Sequence, residues 1–160
     1  MSVVRRATAD DVPALVRMGR AFIASSEHGR TLSVDDAALA DRVSALVASD
    51  DVAWFVADRD GDVCAMLVCA VMGLWFAPST MMATELAWWV EPRARGTTVA
   101  VRLVKAYEEW ARASGVSVCT MSSLDGCNGA QVATMLARMG YARSETTHIK
   151  EMTRCHSSQH

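Results

Sequence analysis

A chain of 160 residues has the length of one domain, and at this size roughly 68–70% of the unfolded surface can be buried, so a full hydrophobic core is within reach. Apolar residues make up 51% and charged residues 21% of the sequence; without a run long enough to span a bilayer, this composition points to a soluble globular protein and away from a membrane. The net charge of −2 gives no global field to attract nucleic acid, so any anion site has to be local.

Val3 to Ala7 has the character of a first strand, and Thr8 with Asp11 three residues on resembles a capping box that opens a helix. Val12, Leu15, Val16, Met18 and Phe22 follow at helical spacing, with Pro13 near the first turn, where it is tolerated. Ser33 and Asp36 repeat the cap signal, and Leu39, Val43, Leu46 and Val47 predict a second amphipathic helix ending near Ser49. The run from Val52 to Phe76 contains two strand-like stretches around Asp60-Gly61, a hairpin turn signal. Its second half is apolar nearly throughout, which places it at the centre of a sheet. Pro78-Ser79-Thr80 is expected as a loop, "ATELAWWV" as a strand, Thr97–Ser114 as a helix, "VSVCTMSSL" as a strand, "NGAQVATMLARMG" as a helix and "YARSETTHIKEM" as a final strand. This order gives one α/β domain over residues 1–152 with a mixed sheet and helices on it, followed by a tail, 153–160, expected to be disordered.

The five cysteines, at 64, 69, 119, 127 and 155, form no CxxC pair and no zinc spacing with the four histidines. Reduced thiols and no metal are expected. The opening "MSVVRRATADD" lacks the regions of a signal peptide and predicts a cytoplasmic setting.

The chemistry concentrates after Val90. A short basic loop, Glu91 to Gly96, leads directly into a helix whose N-terminus offers unpaired N–H groups and about half a positive charge. Arg93 and Arg95 add charge, Gly96 removes the Cβ that would block close approach, and Thr97 and Thr98 carry hydroxyls. An anion such as a phosphate suits such a place; a tight turn with solvated arginines accounts for the same residues equally well.

The segment Val90-Glu91-Pro92-Arg93-Ala94-Arg95-Gly96-Thr97-Thr98-Val99-Ala100, with Leu103-Val104 behind it, resembles the acetyl-coenzyme A signature of the GNAT superfamily of N-acetyltransferases. Arg95 takes the arginine position and Ala100 the final small position, whereas Thr98 stands where glycine or alanine is usual. "MLARMGY", Met135 to Tyr141, is similar to the family's second signature. The resemblance covers almost the whole chain. It implies a mostly antiparallel central sheet flanked by about four helices, with acetyl-coenzyme A as co-substrate held by Trp89, Val90, Arg95, Gly96, Thr97, Thr98, Val99 and Ala100.

What the resemblance implies about catalysis follows the same strand. The pantetheine arm lies where a bulge parts two strands, so a backbone N–H of Trp89 or Val90 becomes the oxyanion donor. Trp88 and Trp89 point to opposite faces of a regular strand, one to the core and one to the acceptor cleft. Glu85, the carboxylate upstream on this strand, is the expected base, with an exposed strand-end glutamate as the plain alternative; Glu91 is expected to be a solvated turn residue. The tyrosine that family members carry four residues before the glycine of the second signature is Leu136 here, so the usual general acid is missing. Tyr107 and Tyr141 are expected to be core aromatics, and Cys119 a small hydrophobe.

The function implied is transfer of acetyl to the amine of a small molecule or peptide by direct attack on the thioester. A catalytically degenerate sensor or assembly module that keeps the cofactor loop is the alternative, and a nucleic-acid binder has no basic stripe to support it. Gly73 to Met82, "GLWFAPSTMM", is expected to line the acceptor site, to contact a second copy in a homodimer, or to be a plain edge of the core.

Overall fold

In the computed structural model, which describes residues 2–27, 29, 32–150 and 152, five strands form one sheet in the order β1-β2-β3-β4-β5. The elements are β1 (Val3–Arg6), α1 (Val12–Ala24), α2 (Asp36–Val47), β2 (Val52–Arg59), β3 (Asp62–Leu74), β4 (Ala77–Val90), α3 (Val99–Ala113), β5 (Val118–Thr120) and α4 (Gly129–Arg138). Neighbours are antiparallel except β4 and β5, which run parallel. Joining parallel strands takes a crossover, and α3 supplies it. The expected tail, 153–160, lies outside the described residues.

Local chemistry explains the first corners. Asp60 and Gly61 both adopt positive φ, 55° and 85°, the backbone of a primed hairpin turn that matches strand twist. Asp58 Oδ1 accepts the Gly61 N–H at 2.8 Å. β3 is central, as its apolar run predicts, because both of its faces are covered from Val63 to Cys69. On one face Leu67 and Cys69 meet Leu103, Val104 and Tyr107 of α3. On the other, Met66 and Val68 meet Leu15 and Met18 of α1 and Val43 of α2.

Four sequence expectations need correction. The second helix is capped by Asp35 instead of Ser33: Asp35 Oδ1 accepts the Ala38 N–H at 2.8 Å. Pro78-Ser79-Thr80 is no loop between strands but an irregular stretch inside β4, where Gly73 pairs with Met81 and Leu74 with Ala77. Proline without an N–H fits such an unpaired stretch; the turn itself is Trp75-Phe76. β5 has three residues where nine were expected, since its only described partner bends away. The final strand does not form among the described residues: 142–150 make no ladder and every one is exposed.

The corner between β1 and α1 is held by charge. The Thr8 N–H donates to Asp11 Oδ2 at 2.8 Å, as the capping-box signal predicts. Arg5 then grips Asp11 with Nη1 and Nη2 at 2.7 and 2.9 Å and Asp58 with Nη2 at 2.7 Å. Asp11 is buried, and the guanidinium holds its carboxyl below the ordinary carboxylate range. Removing one partner of such a pair leaves the other charge uncompensated. Asp11→Asn is expected to cost about 1.5–3 kcal/mol, the scale of hydrogen bonds to a charged group. A depressed folded pKa means this stability is present above the unfolded value and lost as pH falls. The gap between wild type and variant in denaturant melts should therefore hold from pH 5 to 8 and close below about pH 4.

Candidate active site

β4 and β5 begin as neighbours and then part. Three parallel pairs join them: Met82 with Val118, Ala83 with Cys119, and Thr84 with Thr120. Along β3, β4 carries one residue too many, since Val68 pairs with Ala87 and Cys69 with Glu85, which leaves Leu86 as a bulge. A bulge bends and twists its strand. From Glu85 onward β4 has no ladder partner on the β5 side among the described residues.

Alternation decides which backbone groups face this split. The Glu91 N–H donates to the Cys64 carbonyl at 2.9 Å, and residues two apart in an antiparallel ladder point the same way. Trp89 therefore turns its N–H to β3, and Trp88 and Val90 turn theirs to the split. Of the two expected donors, Val90 has the right direction. The two tryptophan rings point to opposite faces as expected: Trp88 packs on the α3 cluster and Trp89 is buried with α1.

Side chains replace the missing rungs. Glu85 Oε2 accepts the Ser122 N–H at 3.0 Å, and the Trp88 Nε1–H donates to the Ser122 carbonyl at 3.2 Å. Ser122 is thus held through its backbone on both sides. Glu85 is only 9% exposed. Burial pushes its carboxyl up to about 7, with the Ser122 hydrogen bond opposing the shift. It is not the exposed strand-end glutamate of the plain alternative. A buried carboxyl that titrates near neutral is suited to take a proton from an amine.

The loop from Glu91 to Gly96 is short and open. Gly96 has φ of 74°, the left-handed region that favours glycine, and nothing lies within 4 Å of where a Cβ would stand. The Thr97 hydroxyl donates to the Ala94 carbonyl at 2.7 Å, so it fixes the turn. Thr98 is the N-cap of α3 and makes no side-chain cap, and the first turn carries no acidic residue. Val99 is buried and pins the helix start to the core, while Ala100 is half-buried. Arg95 lies back over the strand end. Its guanidinium stands 4.8 Å from the Trp89 ring centroid, Nε donates to the Val90 carbonyl at 3.0 Å, and Nη2 reaches Cys127 Sγ at 3.8 Å. Arg93 is committed elsewhere, as a two-pronged pair with Asp62.

Glu91 is no solvated turn residue: it accepts from the Trp89 Nε1–H at 3.5 Å and pairs with Arg17. Leu136 is buried, so α4 places no phenol there. Tyr107 is fully buried and donates to the Thr120 carbonyl at 3.1 Å. The Tyr141 hydroxyl lies 3.6 Å from Cys119 Sγ, and burial raises both phenols well above their ordinary range. The role of Ser122 as a backbone rung carried no sequence signal, because any residue supplies those groups. An open hollow of about 500 Å³ between α3 and α4, lined by Val101, Gln131, Thr134, Met135, Arg138 and Met139, shares no residue with the split.

The model of the acetyltransferase (GNAT) family matches residues 21–141, and the chain belongs to that family. Acetyl-coenzyme A is the co-substrate of its acetyltransferases. Among solved structures, a transcriptional regulator from Bacillus halodurans C-125 is similar over 95% of this chain and 100% of its own, with a TM-score of 0.77 at 14% identity. A predicted acetyltransferase with acetyl-CoA from Clostridium acetobutylicum matches over 94% and 96%, with a TM-score of 0.73 at 17% identity. An aminoglycoside acetyltransferase from an uncultured soil metagenomic sample, in complex with sisomicin, matches over 96% and 97%, with a TM-score of 0.70 at 15% identity. No curated protein matches the sequence. At these identities the structures establish the shared fold.

Burial of Glu85 leaves a thermodynamic trace. Its folded pKa, about 7, lies above the model-compound value of 4.5, so between the two the folded state binds the more protons and stability falls as pH rises. Glu85→Gln removes that term while keeping an acceptor for Ser122. The unfolding free energy of the variant is expected to gain on wild type between pH 4.5 and 7, by on the order of 3 kcal/mol. Parallel curves in denaturant melts across this window would place the carboxyl in water.

Proposed function

We propose that this protein transfers the acetyl group of acetyl-coenzyme A to a primary amine, with Glu85 as the base. The observation that carries the reading is the buried carboxyl at the point where β4 leaves β5. The surrounding residues fit the co-substrate: an unacidic helix start, a glycine with open space, and a strand edge freed by a bulge.

Each residue then has a task. The N–H groups at the start of α3 and the Arg95 guanidinium receive the pyrophosphate, which draws Arg95 off the Val90 carbonyl; Thr98 leaves those backbone donors in place. The Val90 N–H faces the split, where it can stabilise negative charge developing on a carbonyl oxygen. Glu85 takes the proton of the attacking amine, directly or through one water. Acetyl-coenzyme A supplies the acyl group and a thiol leaving group whose pKa, about 8.5, is near that of cysteine and needs little help from an acid. This suits a site where Leu136 replaces the family's tyrosine. The four described cysteines are free thiols, which supports a reducing, cytosolic setting.

The buried Leu136 also favours a second reading, a sensor that binds the co-substrate without turnover. Release of free thiol across an amine panel separates the two. In the enzyme, Glu85→Gln should lower kcat at least 100-fold, the usual contribution of a positioned base, with little change in coenzyme A affinity. The pH profile of kcat/KM should rise through about 7, the Glu85 value, to a plateau; a clear alkaline limb in a stable enzyme would require an acid elsewhere. Arg95→Ala should weaken coenzyme A binding in calorimetry by about 1.5–3 kcal/mol; unchanged affinity would remove Arg95 from the phosphate site.

A further inference from the structure

One face of the sheet is left open beside Glu85. Along β4, Ala83, Glu85, Trp88 and Val90 lie on the α3 side, whereas Met82, Thr84, Ala87 and Trp89 lie on the α1 side, with Leu86 the exposed extra residue between the two registers. The helices α1 and α2 cover that second side only where Met66, Val68 and Trp89 are buried. Toward the β3–β4 turn none of the described residues buries it. Met72, Met82 and Val118 stand in one row across the three strands, and Met72 is 48%, Leu86 50% and Val118 48% exposed. Thr84 and Thr120 lie between this row and Leu86, the Thr120 hydroxyl donating to Thr84 Oγ1 at 3.0 Å. The Thr84 hydroxyl donates in turn to the Glu85 carbonyl at 3.4 Å, so both hydroxyl protons are taken up and the strip is left apolar in character.

The charge pattern is as one-sided as the exposure. From Val63 to Thr84 the sequence contains no charged residue and no histidine, Glu85 is the single charged residue of β4, and β5 has none. Uncovered apolar surface of this kind marks a binding surface, and this strip runs up to the split, across which Glu85, rooted on the α3 side, holds its carboxylate against the Ser122 N–H. A polycation would need several carboxylates to offset its desolvation; these strands offer one.

We infer that the strip formed by Met72, Met82, Leu86 and Val118 is the acceptor surface, and that the acceptor is a monoamine carried on an uncharged apolar body, such as an alkylamine or arylalkylamine. The inference rests on the acetyl-transfer reading for what happens at Glu85, and on the exposed strip for what binds. The amine lies at the split, and its apolar body extends over Leu86 toward Met82 and Met72. This differs from the polyamine-like, multiply charged chemistry of an aminoglycoside acceptor.

The test uses the full chain loaded with coenzyme A, with binding of n-propylamine through n-hexylamine, phenethylamine and spermidine followed by calorimetry. Each added methylene should tighten binding about three- to fourfold, the fold-change equivalent to roughly 0.8 kcal/mol, with little dependence on salt. Leu86→Lys and, on a separate strand, Val118→Lys should each weaken hexylamine at least tenfold while coenzyme A affinity stays unchanged, which also reports that the variants fold. A flat alkylamine series, or spermidine binding tenfold more tightly than hexylamine with steep salt dependence, would overturn the inference. Thiol release from acetyl-coenzyme A with spermidine alone would sustain the transferase and sink this acceptor class. Chain-length-dependent binding without thiol release would support the strip and sink the transferase.

Discussion

The parting of β4 from β5 after Thr84 and Thr120 is the constraint from which the site follows. Continuing the ladder would pair every backbone group and leave no cleft; ending it abruptly would leave buried donors and acceptors without partners, each costing about 1–3 kcal/mol. The chain takes a middle course. One extra residue, Leu86, turns β4 aside, and the first two rungs beyond the split are made by the Glu85 carboxylate and the Trp88 indole against the backbone of Ser122. The strands are held at a fixed spacing while the backbone of Val90 remains directed into the gap.

The same geometry sets the position of the loop and α3. Because Glu91 still bonds to Cys64 on β3, the end of β4 is anchored on one edge only, and the loop leaves from a rigid point. Gly96 then supplies the left-handed backbone that a side chain would resist, and Val99 locks the first turn into the core. The helix start is therefore placed by packing, with its N–H groups uncommitted to any acidic side chain. Arg95 rests on the Trp89 ring and the Val90 carbonyl. A cation over an indole is worth only about 0.5–1 kcal/mol when exposed, less than a charge-assisted bond to phosphate, so this resting place does not compete seriously with a ligand.

Features governed by a few adjacent residues were legible in the sequence. Asp60-Gly61 names its own turn because both positions need positive φ, and Thr8 with Asp11 names its own cap. The helices of α1 and α3 declared themselves by spacing, since their apolar faces are the ones that meet the sheet. Features governed by partners far along the chain were not legible. "VSVCTMSSL" has strand composition throughout, yet pairing stops at Thr120 because β4 turns away at the Leu86 bulge, far earlier in the chain. "YARSETTHIKEM" is expected as a strand, but its described residues find no ladder. Asp35 displaced Ser33 as a cap because the helix begins at Asp36, two residues beyond where a Ser33 cap would start it. In the site, Glu85 stood out as the lone carboxylate of an apolar strand, whereas Ser122 acts through groups every residue has.

Glu85 joins the stability of the split to its chemistry. Desolvation raises the carboxyl toward neutrality and so fits it to accept a proton, and the same desolvation makes its charged form costly to bury. The Ser122 N–H lowers that cost, because a carboxylate accepts more strongly than a carboxylic acid. The rung is thus strongest when Glu85 is ionised, the state that can act as a base, and weakens once the proton has been taken up. Holding the strands together and being ready for proton transfer are in this way one electrostatic condition. A neutral replacement such as glutamine can keep the rung but cannot keep the coupling, and that distinguishes a carboxylate placed only to stitch two strands from one whose burial also tunes it.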